Sequence, residues 1–530
     1  MKSNDANPDF TSGSNLSYWA DSIEPIEFEK LKKNIEAEVV IIGGGISGLS
    51  VAYNLCEQGI KTVLVEDGYI GSGETGRTTA HLVTALDDRY SELERIYGED
   101  NTRLIAESHA KAIDFAEHVI QKENIDCEFE RVDGYLFLHP SDKAETLDKE
   151  LEAAQKAGLQ VEKVSAMPGI DDSSPAIIFR GQAIFHPLKY LKGLSDAIVS
   201  KGGLIYTKTH AKEIDETGIQ TEDGHTVKAK HIVVATNSPV NNKYLIHFKQ
   251  YAYRTYVIGA AVKKDTLPRV LWWDTGDSYE NENIPPYHYV RTHPFNDKYD
   301  LLICGGEDHP TGDAESVQEE NRYAKLVTWA RRRFSFSEII YRWSGQVVEP
   351  MDGLAFIGRT PRGKDNIYII TGDSGNGMTH GIIAGMLLTD MILKKENPWE
   401  KLYSPSRFKL MKSGKTFFRE VTGMVVDYYL NKPKGSDKET LSALEPGRGE
   451  IVELDGDKYG AYIDENKKLH LVDAECTHLG CIVKWNNDEK TWDCPCHGSR
   501  FTYEGKVING PANSDLMHHE QKRGRIKKAS

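Results

Sequence analysis

A chain of 530 residues is long enough for three or four folding units at roughly 150 residues each, so a single small binding module is excluded. Hydrophobic residues at 39% and charged residues at 27% are ordinary for a chain that buries a core. The 65 Lys and Arg against 80 Asp and Glu leave a net charge of −15, which repels a phosphate backbone and argues against nucleic acid as a partner.

Residues 1–35 read as a polar leader without the apolar core of a signal peptide, and no apolar run approaches the ~20 residues of a membrane span. A cytoplasmic protein with no membrane span is expected. Residues 38–67 then read as strand, glycine turn, helix and strand. The run 39–42 is continuously apolar, as in the buried middle of a parallel sheet. Ile46, Leu49, Ala52, Tyr53 and Cys56 share one helix face, and Gly59 marks the helix end. The turn 43–48, Gly-Gly-Gly-Ile-Ser-Gly, fits G-x-G-x-x-G, and Glu66 stands 18 residues beyond Gly48. The first glycine permits the tight turn, the second lets the backbone approach a pyrophosphate, and the third lets helix and strand pack closely. The helix start offers free N–H groups to phosphate, and Glu66 is placed to accept from ribose hydroxyls. The glycines alone are a weak sign; between two apolar strands, with an acid at that distance, they predict a bound dinucleotide.

Charge-rich helical patterns occupy 88–122 and 141–157, a β-rich stretch covers 203–234, and a strand at 366–370 leads through a glycine turn into an apolar helix at 379–393. The alternation predicts an α/β unit over 36–400, in which a nucleotide-binding, Rossmann-like domain is interleaved with an α+β substrate lobe. Within the lobe, Tyr253, Arg254, Tyr289, Arg291 and Arg342 are candidates for substrate contact, amid Tyr251, Tyr256, Trp272, Trp273 and Tyr287. Aromatic walls receive an amine by cation–π contact, and an Arg grips a carboxylate bidentately; plain sheet packing explains the same residues. Residues 401–445 read as a helical extension and linker, and 446–530 as an all-β unit. Its basic end, Lys522, Arg523, Arg525, Lys527 and Lys528, is expected to be a solvated tail.

Four of the seven cysteines fall within the 21 positions 476–496. Cys476-Thr477-His478-Leu479-Gly480-Cys481 and, 12 residues on, Cys494-Pro495-Cys496-His497-Gly498-Ser499 form two Cys/His loops. Two thiolates and two imidazoles suit tetrahedral zinc or a 2Fe-2S cluster with two His on one iron, and zinc leaves the other two cysteines without a role.

Residues 71–77, Gly-Ser-Gly-Glu-Thr-Gly-Arg, resemble the Ser/Thr-Gly-Arg segment of flavoenzymes of the D-amino acid oxidase and glycine oxidase superfamily. The strand end 233–237 and the segment 371–381 are similar to that superfamily's middle strand and C-terminal flavin motif. The likeness covers roughly 36–400 and implies FAD rather than NAD. It implies that Gly43, Gly45, Ser47, Gly48, Glu66, Thr75, Arg77, Ala211, Gly372, Asp373, Gly375, Gly377, Met378 and Thr379 surround the cofactor. His81 falls near the flavin, and noncovalent attachment is expected. No second G-x-G-x-x-G follows a strand, so a substrate or a protein, rather than NAD(P)H, is the expected electron donor.

The two Cys/His loops resemble those of Rieske domains, particularly of the bc-complex type. That resemblance implies Cys476, His478, Cys494 and His497 as ligands of a 2Fe-2S cluster, a disulfide between Cys481 and Cys496, and a covering loop at Gly510-Pro511-Ala512. Ser499 matches the family's serine donor to a bridging sulfide. Phe501 stands where the highest-potential members carry Tyr, so an intermediate potential is expected within the Rieske range of about −150 to +300 mV. Together the resemblances imply an oxidoreductase in which FAD takes hydride from a small amine or amino acid-like substrate. Electrons then pass to the cluster and on to an external acceptor, a protein among the candidates. An oxygen-using oxidase with a regulatory Rieske domain and a redox-sensing or electron-carrier protein are the alternatives.

Overall fold

The computed structural model describes residues 15–528 apart from 171–173, 241–244, 277–286, 313–321, 362–363, 409–440, 442–443, 455 and 523–524. Most of the expected linker at 401–445 lies outside the described residues, which retain the short helix Glu400–Tyr403 at its start.

In the first sheet the strand Ile35–Ile42 lies between Thr226–Val234 and Thr62–Val65, parallel to both. Ile367–Thr371 and Leu204–Tyr206 extend it on either side, again in parallel. A strand covered on both faces has no solvent side, which is why 39–42 is apolar without alternation and buried throughout. Helix Ile46–Glu57 covers one face and packs against Gly377–Ile392, the helix that leaves the sheet after Ile367–Thr371.

The second sheet is nine-stranded among the described residues and antiparallel, except where Leu271–Asp274 meets Glu130–Phe137. Its long strands, Gln250–Lys263, Tyr299–Pro310 and Ile339–Pro350, are drawn from the aromatic-rich lobe. Period-two alternation gives Gln250–Lys263 two different faces. Tyr253, Thr255 and Val257 line a cavity, while Tyr256, Ile258, Ala260 and Val262 pack into a second core with helix Arg322–Arg331.

The helical stretch expected at 88–122 is broken at Gly98, φ +78°, into Tyr90–Tyr97 and Glu99–Glu123. The leader contributes the helix Tyr18–Ser22, whose Ser17 cap accepts from the Ala20 N–H (3.2 Å). Trp19 is fully buried and donates its indole N–H to the Thr78 carbonyl (2.6 Å). Burying a side chain of that size contributes on the order of 3 kcal/mol.

Two small sheets build the C-terminal unit: Gly449–Leu454, Asp457–Ile463, Leu469–Asp473, His518–Lys522 and Arg525–Lys528 in one, Lys484–Asn486, Thr491–Asp493, Arg500–Thr502 and Val507–Asn509 in the other. The described part of the basic end is paired backbone rather than a loose tail. It forms a hairpin on the edge of Leu469–Asp473, with Leu471 opposite His519, because an extended backbone satisfies its N–H and C=O groups there. Among the described residues no helix is long and apolar enough to cross a membrane.

Candidate functional site

A cavity of about 1650 Å³ is walled by the glycine turn, the start of helix Gly377–Ile392 and the inner face of the nine-stranded sheet. Close backbone approach shapes the turn. A Cβ on Gly43, φ +110°, would lie 2.4 Å from the Ala235 carbonyl oxygen, and one on Gly48 would lie 1.9 Å from the Gly43 oxygen. Glu66 accepts from the Gly44 N–H (2.6 Å) and the Gly68 N–H (2.9 Å). Burial and the neighbouring Asp67 hold its carboxyl well above the usual range. Thr75 Oγ1 accepts from the Ile46 N–H (3.1 Å), and Arg77 donates to the Ser344 carbonyl (2.9 Å).

Gly43, Gly45, Ser47, Glu66, Thr75, Arg77, Ala211, Asp373, Gly375, Gly377 and Met378 all line this cavity. Gly48, Gly372 and Thr379 do not. Gly48 lets the turn close, Gly372 makes a left-handed bend (φ +69°) before the helix, and Thr379 Oγ1 pairs with His109 Nδ1 (2.7 Å). His81 is in the wall, with Nε2 buried and unpartnered among the described residues. An open glycine backbone, a helix start and that orphaned nitrogen fit a flavin dinucleotide.

Of the lobe candidates, Tyr253 and Tyr289 line the cavity, and the Tyr289 hydroxyl lies 2.5 Å from Thr255 Oγ1. Arg254, Arg291 and Arg342 do not. Alternation turns Arg254 to the opposite face of its strand, where it donates to Ser344 Oγ (2.8 Å). Arg291 is fully buried and donates to the carbonyls of Ala80 (2.8 Å) and Phe185 (3.1 Å), and Arg342 is exposed. Among the carboxylates that the sequence reading passed over, Asp87, Asp308 and Glu349 are in the wall. The Tyr287 hydroxyl donates to Asp87 (2.5 Å) and Ser374 Oγ to Glu349 (2.9 Å). Burial, then the Asp87 charge, push the Glu349 carboxyl up to about 8, and burial above all raises Asp308 to about 7.

In the C-terminal unit the two Cys/His loops face one another. Cys481 and Cys496 are joined in a disulfide with a Cα–Cα distance of 6.5 Å, while Cys476 and Cys494 are free and buried. Cys494 lies with Cys481 and Cys496 in one group of sulfurs within 4.8 Å of one another, but the bridge leaves only the Cys494 thiol of that group free. Hydrogen bonding from Cys494, foremost, brings the Cys476 thiol down to about 7. The rings of His478 and His497 are 5.0 Å apart, and both His497 nitrogens are buried without a partner among the described residues. Two interacting thiols beside two imidazoles, with buried nitrogens left unsatisfied, fit a 2Fe-2S cluster held by two Cys and two His.

A buried polar seam joins the two units. Glu489, from the turn after Lys484–Asn486, accepts from Ser344 Oγ (2.5 Å) and the Tyr323 hydroxyl (3.2 Å). Burial raises its carboxyl, but the guanidiniums of Arg254, Arg77 and Arg500 outweigh that and hold it below its ordinary value. Gln346, a wall of the cavity, donates from its side chain to the Gly498 carbonyl (2.9 Å), one residue from His497. Gly498 has φ +78°, and a Cβ there would lie 2.3 Å from that of Ala252. Beside it, His247 sits edge-on to His478 (5.2 Å) and Phe248 edge-on to His497 (5.6 Å).

The family model for FAD dependent oxidoreductases matches residues 38–391, and that for the Rieske [2Fe-2S] domain matches 439–520. YhfW of Bacillus subtilis, named as a Rieske 2Fe-2S iron-sulfur protein, is 34% identical over 518 residues, 96% of this chain and 99% of that protein. Gamma-glutamylputrescine oxidoreductase of Escherichia coli is 27% identical over 389 residues, 71% of this chain and 88% of that one. The crystal structure of glycine oxidase from Geobacillus kaustophilus shares the fold at a TM-score of 0.56 and 19% identity, over 71% of this chain and 100% of that one.

Proposed function

The chain belongs to the FAD-dependent oxidoreductase family and carries a Rieske [2Fe-2S] domain, and on that premise we propose that it oxidises a CH–NH bond of a small amine or amino acid-like molecule and delivers the electrons, by way of the cluster, to an external acceptor. FAD supplies a two-electron acceptor that releases electrons singly, and the cluster supplies a one-electron relay. On the substrate, the C–H hydrogen leaves with its electron pair, the nitrogen lone pair closes a C=N bond, and an N–H proton passes to solvent.

In this reading Gly43, Gly45, Ser47 and the helix start at Ile46 hold the pyrophosphate, and Glu66 holds the ribose. Thr75, Arg77 and Ala211 would line the cofactor, and the turn from Asp373 to Met378 would offer its N–H groups to the flavin. Cys476 and Cys494 would hold one iron, and His478 and His497 the other. Tyr253 and Tyr289 wall the substrate site.

The observation that carries the route is Gln346, at once a wall of the cavity and hydrogen-bonded to the loop of His497. Anaerobic addition of an amine or amino acid should bleach the flavin and raise the Rieske electron paramagnetic resonance signal. In His478→Ala bleaching should survive while turnover with a one-electron acceptor protein falls. Rapid reduction of both centres by NADPH alone, or unchanged turnover in the variant, would refute the route.

A further inference from the structure

The cavity has a further wall, and it comes from the C-terminal unit: every residue from 506 to 515 except Pro511 lines it. Three contacts seat this segment on the unit that carries the glycine turn. Asn509 Nδ2 donates to Glu74 Oε1 (2.9 Å), one residue before Thr75. Gly510 approaches so closely that a Cβ there would lie 3.3 Å from the Val240 side chain and 3.5 Å from the Ser238 carbonyl oxygen. Asn513 Nδ2 donates to the Lys212 carbonyl (3.3 Å), and its side chain is hydrogen-bonded to His210 as well. Residues 210–212 stand beside the acid of the glycine turn, because the Thr209 N–H donates to the Glu66 carbonyl (2.8 Å) and His210 pairs with Asp67 (3.7 Å). The segment therefore runs from the Glu66 end of the cavity to the turn at 74–77.

The same segment is fastened to both Cys/His loops. Thr477 Oγ1 donates to the Ser514 carbonyl (2.6 Å), and the Ala512 N–H donates to Ser499 Oγ (3.0 Å). Held from two sides, it brings the half-buried Val507 and Ile508 to the cavity as apolar surface. The glycine turn and helix start cover a dinucleotide on one side only, and a wall contributed by a second unit buries more of its surface.

We propose that residues 506–515 of the C-terminal unit are part of the FAD site, covering its Glu66 end, and that FAD leaves only when this segment lifts. Asn509 and Asn513 are the positioning residues that hold it down. The inference rests on the proposed reading of the cavity as the FAD site, and it gives the C-terminal unit a second task, retention of the cofactor.

Exchange of bound FAD for radiolabelled FAD in solution, sampled by gel filtration over time, measures release from the holoenzyme without turnover. Asn509→Ala and Asn513→Ala should each speed the exchange about fivefold, the size of effect that one hydrogen bond produces, and the double variant about twentyfold or more. Iron content and the FAD-to-protein ratio as purified should stay at the parent values, because the glycine turn is untouched. On the parent protein, amide hydrogen–deuterium exchange should show slower uptake by 506–515 with FAD bound than after FAD has been stripped. Parent-like FAD exchange in the double variant, or equal deuterium uptake by 506–515 with and without FAD, overturns the proposal. Should the variants fail to fold, the deuterium uptake of the parent protein still decides. A purified protein that binds no FAD would defeat both the reading of the cavity and this inference. Faster FAD exchange in the variants, with no amine or amino acid able to bleach the flavin, would uphold the covering segment and defeat the oxidation route. Bleaching and cluster reduction by such a substrate, with FAD exchange unchanged in the double variant, would uphold the route and defeat the covering segment.

Discussion

Replacing Glu489 by alanine attacks the seam between the cavity and the Cys/His loops at a fully buried charge. The substitution leaves the hydroxyls of Ser344 and Tyr323 without this acceptor and takes from the guanidiniums of Arg254, Arg77 and Arg500 one of the buried anions that face them, Asp493 staying paired with Arg500 (3.1 Å). Removing one partner from a buried ionic network costs about 3–5 kcal/mol, more than the roughly 1 kcal/mol of a neutral hydrogen bond, so the lost anion outweighs the lost hydrogen bonds. At about 1.4 kcal/mol per tenfold, the docked arrangement loses roughly two to three and a half powers of ten against the undocked one. Stopped-flow measurement of cluster reduction after flavin reduction should therefore show a slow phase in Glu489→Ala, with a smaller defect in Glu489→Gln, which keeps the acceptor oxygen. The sign of the pH effect is fixed as well. The folded-state pKa of Glu489 lies below its ordinary 4.5, so its contribution is full above that value and is lost as pH falls through the folded one. Parent-like cluster reduction and melting temperature in Glu489→Ala would refute this account of the seam.

Gly498→Val should loosen the same contact, since its backbone is left-handed and a Cβ would collide with Ala252; slower cluster reduction with intact iron content is the expected result. Phe501→Tyr adds a phenol within the buried group that includes Cys476 and Cys494, and a redox titration should show the potential raised by roughly 40 mV, the equivalent of about 1 kcal/mol for one electron. His497→Ala should lose two iron atoms by metal analysis while FAD stays bound, because the glycine turn lies in the other unit. Glu66→Leu should lower the FAD-to-protein ratio measured after gel filtration, since the Gly44 N–H loses its acceptor and the turn its fixed shape.

Features confined to a short run of chain were legible in the sequence. The 43–48 turn and the two Cys/His loops each gather their groups within a few residues, so spacing alone carries the chemistry. Asp87, Asp308 and Glu349 meet only because a nine-stranded sheet folds three distant segments onto one wall, and an isolated acid looks like any solvated one. Arg254 was misleading for a smaller reason. Its neighbour Tyr253 does reach the cavity, and a single residue step along a strand reverses the face. The bond between Gln346 and Gly498 spans 152 positions and depends on how two units dock, for which no local pattern stands proxy.

The histidine pair of the C-terminal unit is backed by His247, which is buried, while Phe248 and Leu479 beside it are about half exposed, at 54% and 47%. A relay carried on a tether has to swing between giver and taker, and its throughput depends on how long the tether is. A relay already seated against its giver has no swing to wait for. On the proposed route, insertions into 431–440 should then leave internal transfer untouched, and traffic should be set by how often an acceptor lands on the edge marked by Phe248 and Leu479.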